Sequence, residues 1–159
     1  MIKRVMTGLL LLVAVVSANA QFESGKKYVS ASLTGLNLQY SSSEKFRLGV
    51  DVKAGCFFAD NFLAVATVGY DHTKSLDEVT VGLGARYYLS ENGIYLGAGG
   101  EYSHLSKSNN DFMIPLEVGY SFFLNRYLTL EPALYYKMSL HNFSDNSTIG
   151  LRVGVGYYF

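Results

Sequence analysis

Eleven charged residues recur among glycines and small polar residues at alternating positions: Lys45, Arg47, Asp51, Lys53, Asp71, Arg86, Glu101, Glu117, Glu131, Lys137 and Arg152. Charges of both signs held away from water have two uses. They neutralise one another as internal ion pairs, or they line a constriction that selects ions or relays protons. Six of them, Asp51, Lys53, Arg86, Glu117, Glu131 and Arg152, lie nearest the middle of their segments and divide three and three by sign. Equal numbers suit mutual pairing, whereas a selective pore calls for one dominant sign.

Other reactive groups are sparse. His72, His104 and His141 fall in predicted loops, where they could meet a metal or a lipid phosphate at low pH. Ser103-His104 with Ser106 is the one tempting grouping of nucleophile and base, and adjacency in a loop does not place them within hydrogen-bond reach. Gly-x-Ser-x-Gly, His-Glu-x-x-His and the phosphate loop are all absent from the sequence. The single Cys56 cannot pair within the chain and behaves as a small hydrophobe. No catalytic residue, cofactor or metal is expected.

The elements that must position the charges have a period of two. Phe46, Leu48, Val50, Val52, Ala54 and Cys56 alternate with Arg47, Gly49, Asp51, Lys53 and Gly55. Similar runs cover 79–89, 112–122 and 149–159, and looser ones 28–40, 62–71, 94–103 and 127–138. A change of phase near Gly35 predicts a bulge, as do Pro115 and Pro132 within their strands. Eight such segments of about ten to thirteen residues match an antiparallel up-and-down barrel that spans a membrane. One set of links is tight: Ala59–Asn61, Ser90–Gly93 and Leu124–Arg126. The other set is mostly longer: Ser41–Glu44, His72–Glu78, Ser103–Asp111 and His141–Ser147.

Composition narrows the class. The chain has 159 residues, enough for one domain, and only 16% of them are charged against roughly 25% in an average soluble domain. Thirteen basic and thirteen acidic residues produce no net field for phosphate, so nucleic acid is not an expected partner. Lys3 and Arg4, the apolar run Leu9–Val16 and Ser17-Ala18-Asn19-Ala20 read as a secretory signal cleaved after Ala20. The domains are then 1–20, a signal peptide, and 21–159, a barrel.

Two features set the apolar face outward. Aromatics stand at the ends of its strands. Tyr40, Phe46, Tyr70, Tyr102, Phe112 and Tyr136 are assigned to the outer rim, and Phe58, Phe62, Tyr87, Phe122, Tyr157 and Phe159 to the inner one. Aliphatic residues fill the middle. Two aromatic girdles about an aliphatic band suit a membrane with two interfaces. Glycine is concentrated on the polar face, where a narrow lumen must be shared with long side chains.

Val153, Val155, Tyr157 and Phe159 alternate up to a terminal Phe. This resembles the C-terminal recognition strand that the barrel-assembly machinery reads. With the signal, the eight segments and the turn Phe58-Ala59-Asp60-Asn61-Phe62, the chain resembles the small outer-membrane β-barrel domain family, the porin-like OmpA/OmpX type. The Ala18–Gln21 cleavage region looks like those of Bacteroidetes. The resemblance implies outer-membrane residence, a periplasmic N-terminus and chaperone-assisted insertion, and a monomer is expected. The implied partners are outer-membrane lipid and lipopolysaccharide, the assembly machinery and periplasmic chaperones. It implies no catalytic residues. The expected function is a non-enzymatic structural or surface-interaction role with a salt-bridged lumen. The alternatives are a narrow channel for small solutes, ions or protons, and a lipid-modifying enzyme.

Overall fold

The computed structural model describes residues 22–36, 48–73, 76–89, 93–105, 110–140 and 147–159. The signal segment, Tyr40, Lys45, Phe46, Arg47 and His141 lie outside the described residues. Nine strands follow in order: β1 (Lys27–Leu36), β2 (Leu48–Ala59), β3 (Phe62–Thr73), β4 (Leu76–Tyr88), β5 (Ile94–Leu105), β6 (Asn110–Tyr120), β7 (Phe122–Phe123), β8 (Leu128–Ser139) and β9 (Thr148–Tyr158). All pairings are antiparallel: β1 to β6 pair in consecutive order, β6 and β7 both pair with β8, β8 pairs with β9, and β1 pairs with β9. The two-residue β7 continues β6 past Ser121 against β8. The wall is therefore a closed barrel of eight strands.

The alternation of the sequence becomes an alternation of burial, with the usual signs reversed. In β9, Leu151, Val153, Val155 and Tyr157 are exposed while Arg152, Gly154, Gly156 and Tyr158 are buried. Leu83 is 73% exposed and Arg86, three residues away, 3%. A water-soluble barrel of lipocalin type would turn its apolar set inward. Phe58, Phe62, Tyr70, Tyr87, Tyr102, Phe112, Tyr157 and Phe159 all face out, and Phe122 and Tyr136 are half-buried.

The tight links are as short as their residues suggest. Asp60-Asn61 joins β2 to β3 with Asn61 at φ 66°, a conformation Asn tolerates better than most side chains. Gly93 turns at φ 72°, and Leu89 N–H donates to the Ile94 carbonyl at 2.8 Å. The Asn125 side chain accepts from the N–H groups of Tyr127 and Leu128, each at 2.8 Å, which shapes the turn into β8.

Several expectations need correction. His72–Glu78 is not a long loop, because β3 runs to Thr73 and Thr73 pairs with Leu76. The ladder extends because His72 bonds to Asp77 opposite it. Likewise β5 runs to Leu105 and β6 starts at Asn110, so both ends of the predicted Ser103–Asp111 loop are strand, and His72 and His104 are strand residues. The bulge near Gly35 is present, as a register shift between Thr34 and Leu36. Neither proline makes one. Pro132 pairs with Val153 in unbroken register. Around Pro115 the β5–β6 ladder lapses opposite Gly99 and Gly100 and resumes in the same register, while Pro115 stays paired to Lys137. The missing N–H thus costs a local gap on one side and no extra residue. The break in this strand falls at Ser121, where the ladder to β8 lapses opposite Glu131 and Pro132 and resumes in the same register at Phe122.

Candidate functional site

The lumen gathers the charges that the alternation turned inward. Glu117 on β6 is their hub. Its carboxylate accepts from Arg86 Nε at 2.5 Å and Lys53 Nζ at 3.2 Å, and it pairs with Arg152 Nη2. These partners come from β4, β2 and β9, so the contacts cross the barrel interior. Arg152 Nη1 also lies 3.3 Å from Asp51 Oδ2. Arg86 Nη1 donates to Tyr28 Oη at 2.7 Å and to Glu131 Oε2 at 3.2 Å. Glu131 further accepts from the hydroxyls of Tyr28 at 2.5 Å, Tyr158 at 2.8 Å and Thr129 at 2.9 Å. All six central charges meet in one network, three of each sign. Above it, Lys137 Nζ pairs with Glu101 Oε2 at 2.8 Å.

A carboxylate buried this deeply must find donors, because an unpaired charge out of water costs several kcal/mol. Glu117 and Glu131 each find more than one. The guanidinium of Arg86 also lies over two rings, with Cζ 4.3 Å from the Tyr95 ring centroid and 5.3 Å from that of Tyr28. The cavity beside these groups, edged by Lys53, Thr67, Glu117, Tyr135 and Lys137, is about 30 Å³, room for one or two waters.

Glycines make this packing possible. A Cβ on Gly97 would strike Glu117, one on Gly156 would strike Glu131, and one on Gly119 would land on the Tyr95 ring. Gly119→Ala is expected to destabilise the barrel by about 1–3 kcal/mol through overpacking. Urea unfolding of the vesicle-inserted protein measures this, and an unchanged midpoint refutes it.

The sequence reading missed the aromatic cluster at the inner end. Phe22, Phe57, Tyr88, Tyr95 and Tyr158 are buried together, with Phe22 stacked on Tyr88 at 4.2 Å between centroids. Tyr88 and Tyr158 share the parity of Arg86 and Arg152, which was the available signal. Phe22 precedes the first strand and carries no periodic signal at all. Its carbonyl accepts from Asn61 N–H at 2.8 Å, which ties the N-terminal segment across the barrel mouth. Glu78 and Asp111 also proved to be buried, at positions assigned to loops. Ser103 and His104 do not converge: Ser103 is buried against Thr80, with 3.2 Å between hydroxyls, and His104 is exposed.

No protein-family model and no curated protein matches the chain in sequence. Solved structures match it in shape. The N-terminal β-barrel domain of Pseudomonas aeruginosa OprF superposes with TM-score 0.68 at 16% identity, covering 86% of this chain and 98% of that one. This chain has the fold of the outer-membrane eight-stranded barrels. OprG from Pseudomonas aeruginosa (TM-score 0.59, 13% identity, 89% and 99% covered) and the Yersinia pestis outer membrane protein Ail (0.58, 13%, 86% and 100%) share it. These likenesses lend no support to a Bacteroidetes-like origin. Val153, Val155 and Tyr157 face outward on the closing strand β9, and Phe159 faces outward just past its end.

Proposed function

We propose that the chain is an integral outer-membrane barrel with a non-enzymatic, structural or surface-interaction role and a lumen closed to ions. The observation that carries this reading is Glu117 bound by Lys53, Arg86 and Arg152 from three other strands, which draws the interior shut. The exposed aliphatic wall, edged by aromatics, supports residence in a bilayer. Residues 1–20 direct export, the strand ending at Phe159 is read by the assembly machinery with periplasmic chaperones, and the barrel stands as a monomer among lipid and lipopolysaccharide. Two solved neighbours carry surface or attachment in their names, Neisserial surface protein A and the attachment invasion locus protein Ail, which supports a role at the cell surface.

Single-channel recording on the refolded 21–159 chain in a planar bilayer tests the closed lumen. Wild type is expected to produce no steps above membrane noise, and Glu117→Ala to produce brief openings. Reproducible wild-type steps would overturn the closed lumen and leave the narrow channel in its place.

A further inference from the structure

Phe22 precedes the first strand, and the inner end of the lumen closes around it. Among the described residues, four rings surround its own: Tyr88 at 4.2 Å between centroids, Phe123 at 5.6 Å, and Phe57 and Tyr158 each at 6.0 Å. They come from β4, β7, β2 and β9. Because β7 continues β6, these are every second strand around the wall. A ring touched from four evenly spaced sides stands on the barrel axis rather than against one side of it. Phe22 is 4% exposed.

The segment that carries this ring is a short strap. Glu23, Ser24 and Gly25 are exposed. Gly25 N–H donates to the Phe57 carbonyl and Phe57 N–H to the Lys26 carbonyl, each at 2.9 Å, which fixes the far end of the strap to β2. Nearer the ring, the Phe22 carbonyl accepts from Asn61 N–H at 2.8 Å, and Ser24 N–H donates to Asp60 Oδ1 at 2.9 Å. Both of these partners belong to the β2–β3 turn. Between the two sets of ties the chain turns at Gly25, with φ 93° and nothing within 4 Å of its Cβ position. An exposed strap with one buried ring opens more readily than the strands, because local opening concentrates where buried contacts are few. The layer outward of the ring is polar: Tyr158 Oη donates to Glu131 Oε1 at 2.8 Å, and Glu131 pairs with Arg86.

We infer that residues 22–26 are a plug, a second barrier in the lumen that stands in series with the charge hub and is separable from it. The inference deepens the closed-lumen reading above and rests on it. The two barriers differ in kind. The hub fills the middle of the lumen with paired charges carried by the wall itself. The plug closes the inner end with a layer of rings, and a hydrophobic constriction gates by excluding water. The hub cannot leave without moving a strand. Phe22 lies ahead of the wall, so it departs when the strap turns about Gly25. The strap is thereby the movable part of an otherwise fixed interior. Its release opens the inner mouth as far as Tyr158 and Glu131 while the hub still holds.

The chain contains no Trp, so one introduced indole reports on the socket alone. Phe123→Trp places it at a half-buried position packed against the cluster that holds Phe22. The 21–159 chain is refolded into phosphatidylcholine nanodiscs, insertion is checked by heat-modifiable gel mobility, and quenching of the indole by iodide is measured. Adding Phe22→Ala is expected to raise the quenching constant at least threefold. Gly25→Ala, which strains the turn and keeps the ring, should raise it by a smaller factor. In planar bilayers, openings of Glu117→Ala/Phe22→Ala should last at least tenfold longer than those of Glu117→Ala, while Phe22→Ala alone stays silent behind the hub. An unchanged quenching constant in Phe22→Ala would overturn the plug. Equal open times, silence of the double variant, or steps from Phe22→Ala alone would overturn the arrangement of two barriers in series. Steps from wild type would overturn the closed lumen itself, and the quenching, read without any current, decides the plug separately.

Discussion

Glu117→Ala is expected to lower the unfolding free energy of the inserted barrel by about 3–5 kcal/mol, the range for removing one partner of a buried ion pair. The large effect follows from the position of the carboxylate. Lys53, Arg86 and Arg152 converge on it, with side chains 7%, 3% and 5% exposed. Removing it leaves three buried cations against Asp51 and Glu131, with Glu101 also near Lys53. Arg86 keeps Glu131 and Tyr28, and Arg152 keeps Asp51, but Lys53 loses its closest anionic partner. Lys53→Met is the informative companion. It removes one cation of three from the hub and replaces the stem by an apolar chain of similar length, so it should cost far less and could stabilise. Urea titration of both variants in vesicles, followed by tryptic protection, reads the two together. Equal losses, or none in Glu117→Ala, would show that the hub is not what holds the interior.

Leu83→Arg is expected to destabilise the inserted barrel by about 2–4 kcal/mol, the cost of a cation on the lipid face at the bilayer midplane. Leu83 lies near the middle of β4 and is 73% exposed. In water, such a surface substitution would fall within ~0.5 kcal/mol of neutral. The contrast makes the substitution a direct probe of what covers the wall. Leu124→Arg, at the turn before β8, is the control: equally apolar, 59% exposed, and beyond the strand ends, where the cost should be small. Similar unfolding midpoints for the two variants would argue against a hydrocarbon surround.

How much was legible in the sequence differs by element. The runs through Val50, Leu83 and Val153 declared both strand and face, because a period of two maps every second side chain to one side of the sheet. Thr34–Leu36 declared its bulge by a change of phase. The outer ends of β3 and β4 were misread, since His72, Asp77 and Glu78 are polar residues of the kind that fill loops. What extends those strands is a cross-strand bond between His72 and Asp77, which no local pattern announces. The prolines misled in the opposite direction: a single missing donor can be tolerated as a gap in one ladder while the other stays in register.

The sequence by itself determined an all-β chain of alternating segments, the outward apolar face with its aromatic ends, and the set of charges that would face inward. These follow from strand periodicity and composition, which are local. Only the tertiary structure decided which charge meets which, and that Glu117 rather than Glu131 gathers three cations. It also showed that Phe22 joins the aromatic cluster at the inner end. The physical reason is the register around a closed, tilted sheet. Partners across a lumen are set by the stagger accumulated over all eight strands, a quantity no single segment contains.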